Sequence, residues 1–106
     1  KPNWTEHVIE SEFDHAHGMA VGDLDGDGLV DFVVAKMHQA TPPQTVTVYY
    51  NYDRGRAWEK QVVTETGSHN ICLADIGQTG RLSIFGANWN DRAPTGGAIE
   101  LWINEG

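Results

Sequence analysis

Asp23-Leu24-Asp25-Gly26-Asp27-Gly28-Leu29-Val30-Asp31 carries carboxylates at three alternate positions and a fourth four residues on. Gly26 and Gly28 sit among them, where a chain can turn sharply without a Cβ in the way. Met19-Ala20-Val21 precedes the stretch and Phe32-Val33-Val34-Ala35 follows it. Both flanks are short and apolar, the length and composition of strands and not of helices. The segment therefore reads as a hairpin with an acidic tip.

The spacing of the acids is informative in itself. In its first half it resembles an EF-hand calcium loop, where positions 1, 3 and 5 offer side-chain oxygens, position 6 is Gly and position 7 offers a carbonyl. Those positions are Asp23, Asp25, Asp27, Gly28 and Leu29. Position 12 would be a closing Glu, but Val34 stands there, and Asp31 at position 9 is the available closing ligand. The expected ion is calcium, held by Asp23, Asp25, Asp27, the Leu29 carbonyl and Asp31. The flanking strands argue against an EF-hand around it.

The chain has 106 residues, enough for one small domain. Its formal net charge of −8 disfavours nucleic acid or an anionic membrane as partner. No apolar run approaches the length of a membrane span. Neither a signal peptide nor an initiator Met is present, so a mature or excised segment is expected. The lone cysteine, Cys72, excludes an internal disulfide framework. Its neighbours Ile71 and Leu73 suggest a buried thiol. Abundant Gly without helical periodicity points to an all-β protein.

Self-similarity extends the reading to the whole chain. The stretch from His17 to Gly28 aligns with His69 to Gly80, and Phe32–Ala35 aligns with Ile84–Ala87. Val46–Asn51 aligns with Ile99–Asn104, and Trp4–Ile9 with Trp58–Val63. Each repeat holds about four short strands, the content of one propeller blade. The expected strands are Trp4–Glu10, His17–Val21, Val30–Ala35, Thr45–Asn51, Trp58–Thr64, Asn70–Ala74, Leu82–Ala87 and Ile99–Ile103. Residues 1–106 thus form a single two-blade unit. Blade 1 covers about 17–64. Blade 2 covers about 69–104 and lacks its outer strand, for which Trp4–Glu10 is the equivalent. Two blades do not close a ring, because propellers have about four to eight. The ring is expected to be completed by homo-oligomerisation, with three or four chains, or by the rest of a longer chain.

With the repeat in place, the chain resembles the FG-GAP/VCBS repeat family of integrin-like β-propellers. The resemblance rests on Val21-Gly-Asp23-Leu-Asp25-Gly-Asp27-Gly28-Leu-Val-Asp31-Phe and, more loosely, on Phe85-Gly86-Ala87. It implies calcium in the hairpin between the first two strands of a blade, at the residues already named. The second blade departs from the pattern. Asp75 matches Asp23, but Gly77, Thr79 and Ser83 replace Asp25, Asp27 and Asp31. A lone carboxylate is too little to offset the dehydration of calcium, so one ion per chain is expected.

Propeller topology puts the acidic hairpin on one face and the other loops opposite. That opposite face receives His15, His17, His38 and His69, together with Lys36, Asn88, Trp89, Asn90, Asp91 and Arg92. His17 and His69 occupy the same position in the two repeats, where they serve either a repeated structural hydrogen bond or a metal or polar ligand. Asn88-Trp89-Asn90-Asp91-Arg92 combines an aromatic platform with amides and a charged pair, the residue types of a sugar site. The resemblance also implies secreted, lectin-like or carbohydrate-active relatives. Candidate ligand-binding residues are therefore His15, His17, His38, His69, Asn88, Trp89, Asn90 and Arg92. No nucleophile motif or phosphate loop is present. The expected function is an extracellular, calcium-stabilised binding or scaffold module that assembles with itself, with carbohydrate as the candidate ligand. The alternative is a fragment of a secreted lyase- or dehydratase-like enzyme, with His17, His69 and Lys36 as acid–base groups.

Overall fold

The computed structural model describes residues 1–89 and 96–106. Strands β1 (Ala16–Gly22), β2 (Asp31–Lys36), β3 (Val46–Tyr52) and β4 (Ala57–Thr64) form one antiparallel sheet in sequential order. Strands β5 (Asn70–Ala74), β6 (Ser83–Ala87) and β7 (Ile99–Trp102) form a second. Each sheet is a meander, as expected where short loops join neighbouring strands. The chain is all-β, and these two sheets correspond to the two repeats.

Alternation along each strand separates two faces. Val33 and Ala35 of β2, with Val46 and Val48 of β3, turn toward the second sheet and are buried. Ile84 of β6 and Leu24 of the acidic hairpin complete that core, and Ile71, Leu73, Leu82 and Trp102 pack onto it. Phe32, Tyr49 and Trp58 belong to the opposite face of the first sheet. Phe32 stacks on Tyr49 at 4.7 Å between centroids and meets Trp58 edge-on at 5.2 Å.

The first strands of the two sheets, β1 and β5, approach closely because β1 presents glycines there. A Cβ on Gly22 would stand 2.6 Å from Leu82 Cδ1, and one on Gly18 would stand 3.1 Å from Ile71 Cγ1. Gly86 in β6 makes room within its own sheet, where a Cβ would meet Ser68 Oγ and the Trp102 ring at 2.7 Å. Spacing of the two sheets is thus set by side chains that are missing.

Seven of the expected strands form within a residue or two of their expected bounds. The eighth does not. Trp4–Glu10 is not a strand, and Trp4 is 90% exposed. A strand needs an edge to pair with. The edge this segment matches by repeat is that of β7, while its own end is held against the first sheet. There Glu10 Oε2 accepts a hydrogen bond from the Tyr49 hydroxyl at 3.0 Å.

Cys72 is a second correction, because its thiol is exposed. Ile71 and Leu73 do face the core. Residue 72, between them on the strand, points to the other side of the second sheet, which the described residues leave uncovered.

Candidate functional site

The acidic hairpin takes its shape from backbone hydrogen bonds to its own carboxylates. Asp23 accepts from the Gly26 N–H through Oδ1 and from the Gly28 N–H through Oδ2, both at 2.8 Å. Asp27 Oδ1 accepts from the Leu29 N–H at 2.8 Å, and Asp25 Oδ1 from the Asp27 N–H at 3.2 Å. Gly26 and Gly28 turn the chain at φ of 80° and 86°, a region that costs other residues energy. As a result one oxygen each of Asp23, Asp25 and Asp27 lies within 4.8 Å of the others.

The electrostatics of the three differ. The Gly28 N–H, more than any other group, holds the Asp23 carboxyl below its ordinary value. Asp25 is pushed the other way, first by desolvation in the crowded loop and then by the charges of Asp31 and Asp27. Oxygens gathered at this density could together hold a metal ion.

Asp31 sits apart from this trio. It is fully buried, its Oδ2 accepting from the Leu24 N–H at 2.7 Å and its Oδ1 from the Asn51 N–H at 2.8 Å. It ties the hairpin to β3. Each oxygen retains a second lone pair.

The equivalent hairpin of the second sheet works as an internal control. Asp75 Oδ2 accepts from the Gly80 N–H at 2.8 Å, and its Oδ1 from the Thr79 N–H at 2.9 Å. The Thr79 N–H is the leading cause of the lowered Asp75 carboxyl. Ser83 Oγ accepts from the Asn104 N–H at 3.0 Å, as Asp31 does from Asn51. Thr79 Oγ1 accepts from the Arg81 N–H at 3.3 Å, as Asp27 does from Leu29, so a matching turn forms with one aspartate, a threonine and a serine. Carboxylates at the positions of Asp25 and Asp27 are not needed to shape it.

On the other face three imidazoles and an indole meet. The His17 and His69 rings are 3.9 Å apart between centroids, His38 lies 6.4 Å from His69, and Trp89 lies 5.2 Å from His69 and 6.2 Å from His38. His17 Nδ1 donates to the His69 carbonyl at 2.7 Å, which leaves its Nε2 as an acceptor. The Nδ1 atoms of His38 and His69 are buried without a hydrogen-bond partner. Burial, aided by His17 and His38, lowers the pKa of His69 and favours its neutral form. Trp89 is 54% exposed above this cluster.

Other expected site residues fall elsewhere. His15 contacts Asp14 at 3.2 Å and takes no part in the ring cluster. Asn88 is committed to the scaffold, its Nδ2 donating to the Gly67 carbonyl and to Glu100 Oε1, each at 3.3 Å. Asn90 and Arg92 lie outside the described residues. Asp14, next to His15, is the hub of that face. Its carboxylate accepts from the Thr41 N–H at 2.8 Å and from Lys36 Nζ at 3.1 Å, joining three segments of that face. Those bonds, the Thr41 N–H foremost, hold its carboxyl well below the usual carboxylate range. No spacing rule announces such a hub, because its partners are a backbone N–H and a lysine distant in sequence.

A family model for the FG-GAP-like repeat matches residues 23–86, from the first aspartate of the acidic hairpin to Gly86 of β6. No curated protein and no solved structure gives a significant match.

Proposed function

We propose that this chain, which belongs to the FG-GAP-like repeat family, serves as a calcium-stabilised module of β-propeller type whose ligand-binding surface lies opposite the ion. One observation carries the calcium reading. The second hairpin makes a matching turn with Asp75 as its one carboxylate and neutral hydroxyls at Thr79 and Ser83, so the charges of Asp25 and Asp27 are more than the turn requires. Their mutual repulsion costs stability unless a cation offsets it. In the proposed site Asp23, Asp25 and Asp27 supply carboxylate oxygens and Leu29 its carbonyl. Asp31 offers its remaining lone pairs while holding the hairpin to β3. Bound calcium would neutralise the loop and fix it, with no chemical step of its own.

Loops on a rigid scaffold are the usual place for recognition. The Trp89 indole and the unpaired imidazole nitrogens of His38 and His69 form a half-exposed aromatic surface with hydrogen-bonding nitrogens at its base. An aromatic face with hydrogen-bonding groups beside it suits a sugar ring, which supports carbohydrate as the ligand class. The typical setting of such repeats is extracellular, where calcium is plentiful. Among the described residues no helix is long and apolar enough to cross a membrane.

Isothermal titration tests the reading. One calcium per chain should bind to the wild type and none to an Asp25→Ala/Asp27→Ala double variant. A double variant that binds calcium as the wild type does would refute it. On the other face, a glycan array that detects ligands for the wild type should lose them with Trp89→Ala.

A further inference from the structure

The acidic hairpin is also held from the second sheet. Asn104, just past the end of β7, donates through Nδ2 to the Leu24 carbonyl at 2.9 Å and to the Leu82 carbonyl at 3.2 Å. We propose that Asn104 is a positioning residue for the calcium site, fixing from the second sheet the peptide that joins Leu24 to Asp25. The inference rests on the calcium reading given above.

Leu24 stands between two of the residues that would hold the ion. Its N–H belongs to the peptide shared with Asp23, and its carbonyl to the peptide shared with Asp25. Both peptides are planar, so their orientation sets how the Asp23 and Asp25 carboxylates stand relative to one another. Asp31 Oδ2, at the start of β2, accepts from the Leu24 N–H at 2.7 Å. Asn104 holds the carbonyl. The Leu24 side chain is 8% exposed and belongs to the core that includes Ile84 of β6. The residue is thus tied at three points, from β2, from beyond β7 and in the core between the sheets.

An asparagine suits this part, because its amide offers two protons and an oxygen. Each proton has a carbonyl to bind. The oxygen accepts from the Gly106 N–H at 3.0 Å, and the backbone N–H of Asn104 goes to Ser83 Oγ, also at 3.0 Å. Asn51, the equivalent residue in the first repeat, donates through Nδ2 to the Val30 carbonyl at 2.9 Å, as Asn104 does to Leu82. The bond to Leu24 is what Asn104 adds, and it joins one sheet's hairpin to the other sheet. Partners that orient ligand-bearing groups typically change metal affinity about tenfold or more when removed. Coupling is reciprocal, so an ion that fixes Asp23 and Asp25 strengthens the hold of the hairpin on the second sheet.

Calcium titration of the wild type, Asn104→Ala and Ser83→Ala tests this. Ser83→Ala removes the acceptor of the Asn104 backbone N–H and leaves its side-chain amide in place, so it reports what general loosening of that segment does. Asn104→Ala should bind calcium about tenfold more weakly, and Ser83→Ala close to the wild type, with both variants folded by circular dichroism. Should Asn104→Ala not fold, NMR of the wild type still decides. The Asn104 side-chain amide signals should shift as calcium fills the hairpin. Equal affinities for Asn104→Ala and the wild type, an equal loss in Ser83→Ala, or side-chain amide signals that stay still while the hairpin amides respond would each overturn the proposal and leave the calcium reading standing. A wild type that takes up no calcium overturns both.

Discussion

His17 Nδ1 donates a hydrogen bond of 2.7 Å to the carbonyl of His69, so two equivalent positions of an internal repeat are bonded to each other. The bond joins β1 to the entry of β5, at the place where the two sheets are closest. It also holds the His17 ring against that of His69, 3.9 Å away between centroids. The repeat thereby turns one residue type into a cluster, with His38 and Trp89 gathered around His69.

The cluster predicts a pH dependence. Burial first, then His17 and His38, lower the His69 pKa in the folded state. A histidine with a lowered pKa binds fewer protons folded than unfolded. Its contribution is present above the unfolded value of about 6.5 and is lost as pH falls through the lower folded value. The melting temperature should therefore decline on acidification below about pH 6.5, and His69→Gln should make that decline shallower. A decline of equal slope in both proteins would place the effect elsewhere.

Tyr49 gives the opposite sign at alkaline pH. Burial, then the bond to Glu10, push its hydroxyl up to about 12 from an ordinary 10.0. A raised pKa means stability that is intact below the unfolded value and is lost as pH rises toward the folded one. Stability should thus fall between about pH 10 and 12, and Tyr49→Phe should lose less over that window. Denaturant midpoints across the range would measure the difference, and identical slopes would contradict this assignment.

Close approach at Gly22 predicts a local steric cost. A Cβ there would stand 2.6 Å from the Leu82 side chain and 3.2 Å from that of Leu73. Gly22→Ala must push the two sheets apart or force a rotamer change, at about 1–3 kcal/mol. Gly26→Ala meets no atom within 4 Å, so its penalty comes only from its φ of 80°. Urea unfolding of the two variants separates crowding from backbone strain.

Asp31 predicts a loss that is independent of any ion. Its two oxygens each accept a backbone N–H, from Leu24 and from Asn51. Asn in its place retains one acceptor and turns an amide donor toward the other N–H. One buried donor is left unsatisfied, at about 1–3 kcal/mol. Asp31→Asn should therefore be less stable than the wild type even in chelator. Equal stability there would show that Asp31 matters through the ion alone.

Much of this architecture is legible in the residues, and the exceptions share a cause. Alternating apolar positions and the offset between His17 and His69 locate the strands and their order, because those signals are local or repeat with the fold. The acids at 23, 25 and 27 announce a shared oxygen cluster for the same reason. Trp4–Glu10 carries a strand's residues without a strand's conformation, since pairing depends on an edge that residues 4–10 do not encode. Cys72 sits between two core residues yet is exposed, because burial of the second face of a sheet needs a neighbour. Asp31 reads from its spacing as a ligand, and its second part, accepting from the Leu24 and Asn51 N–H groups, shows only in the fold. Its replacement by Ser83 in the second repeat is the one sequence sign of that structural part.

The most direct test of the calcium-stabilised module is its melting temperature in calcium and in chelator. Ligand at about a hundred times its dissociation constant adds about 2.7 kcal/mol, or roughly 10–20 °C for a domain of this size. The wild type should gain a shift of that order with calcium, and Asp25→Ala/Asp27→Ala should melt at one temperature in both conditions. A wild type that melts identically with calcium and with chelator would contradict the account.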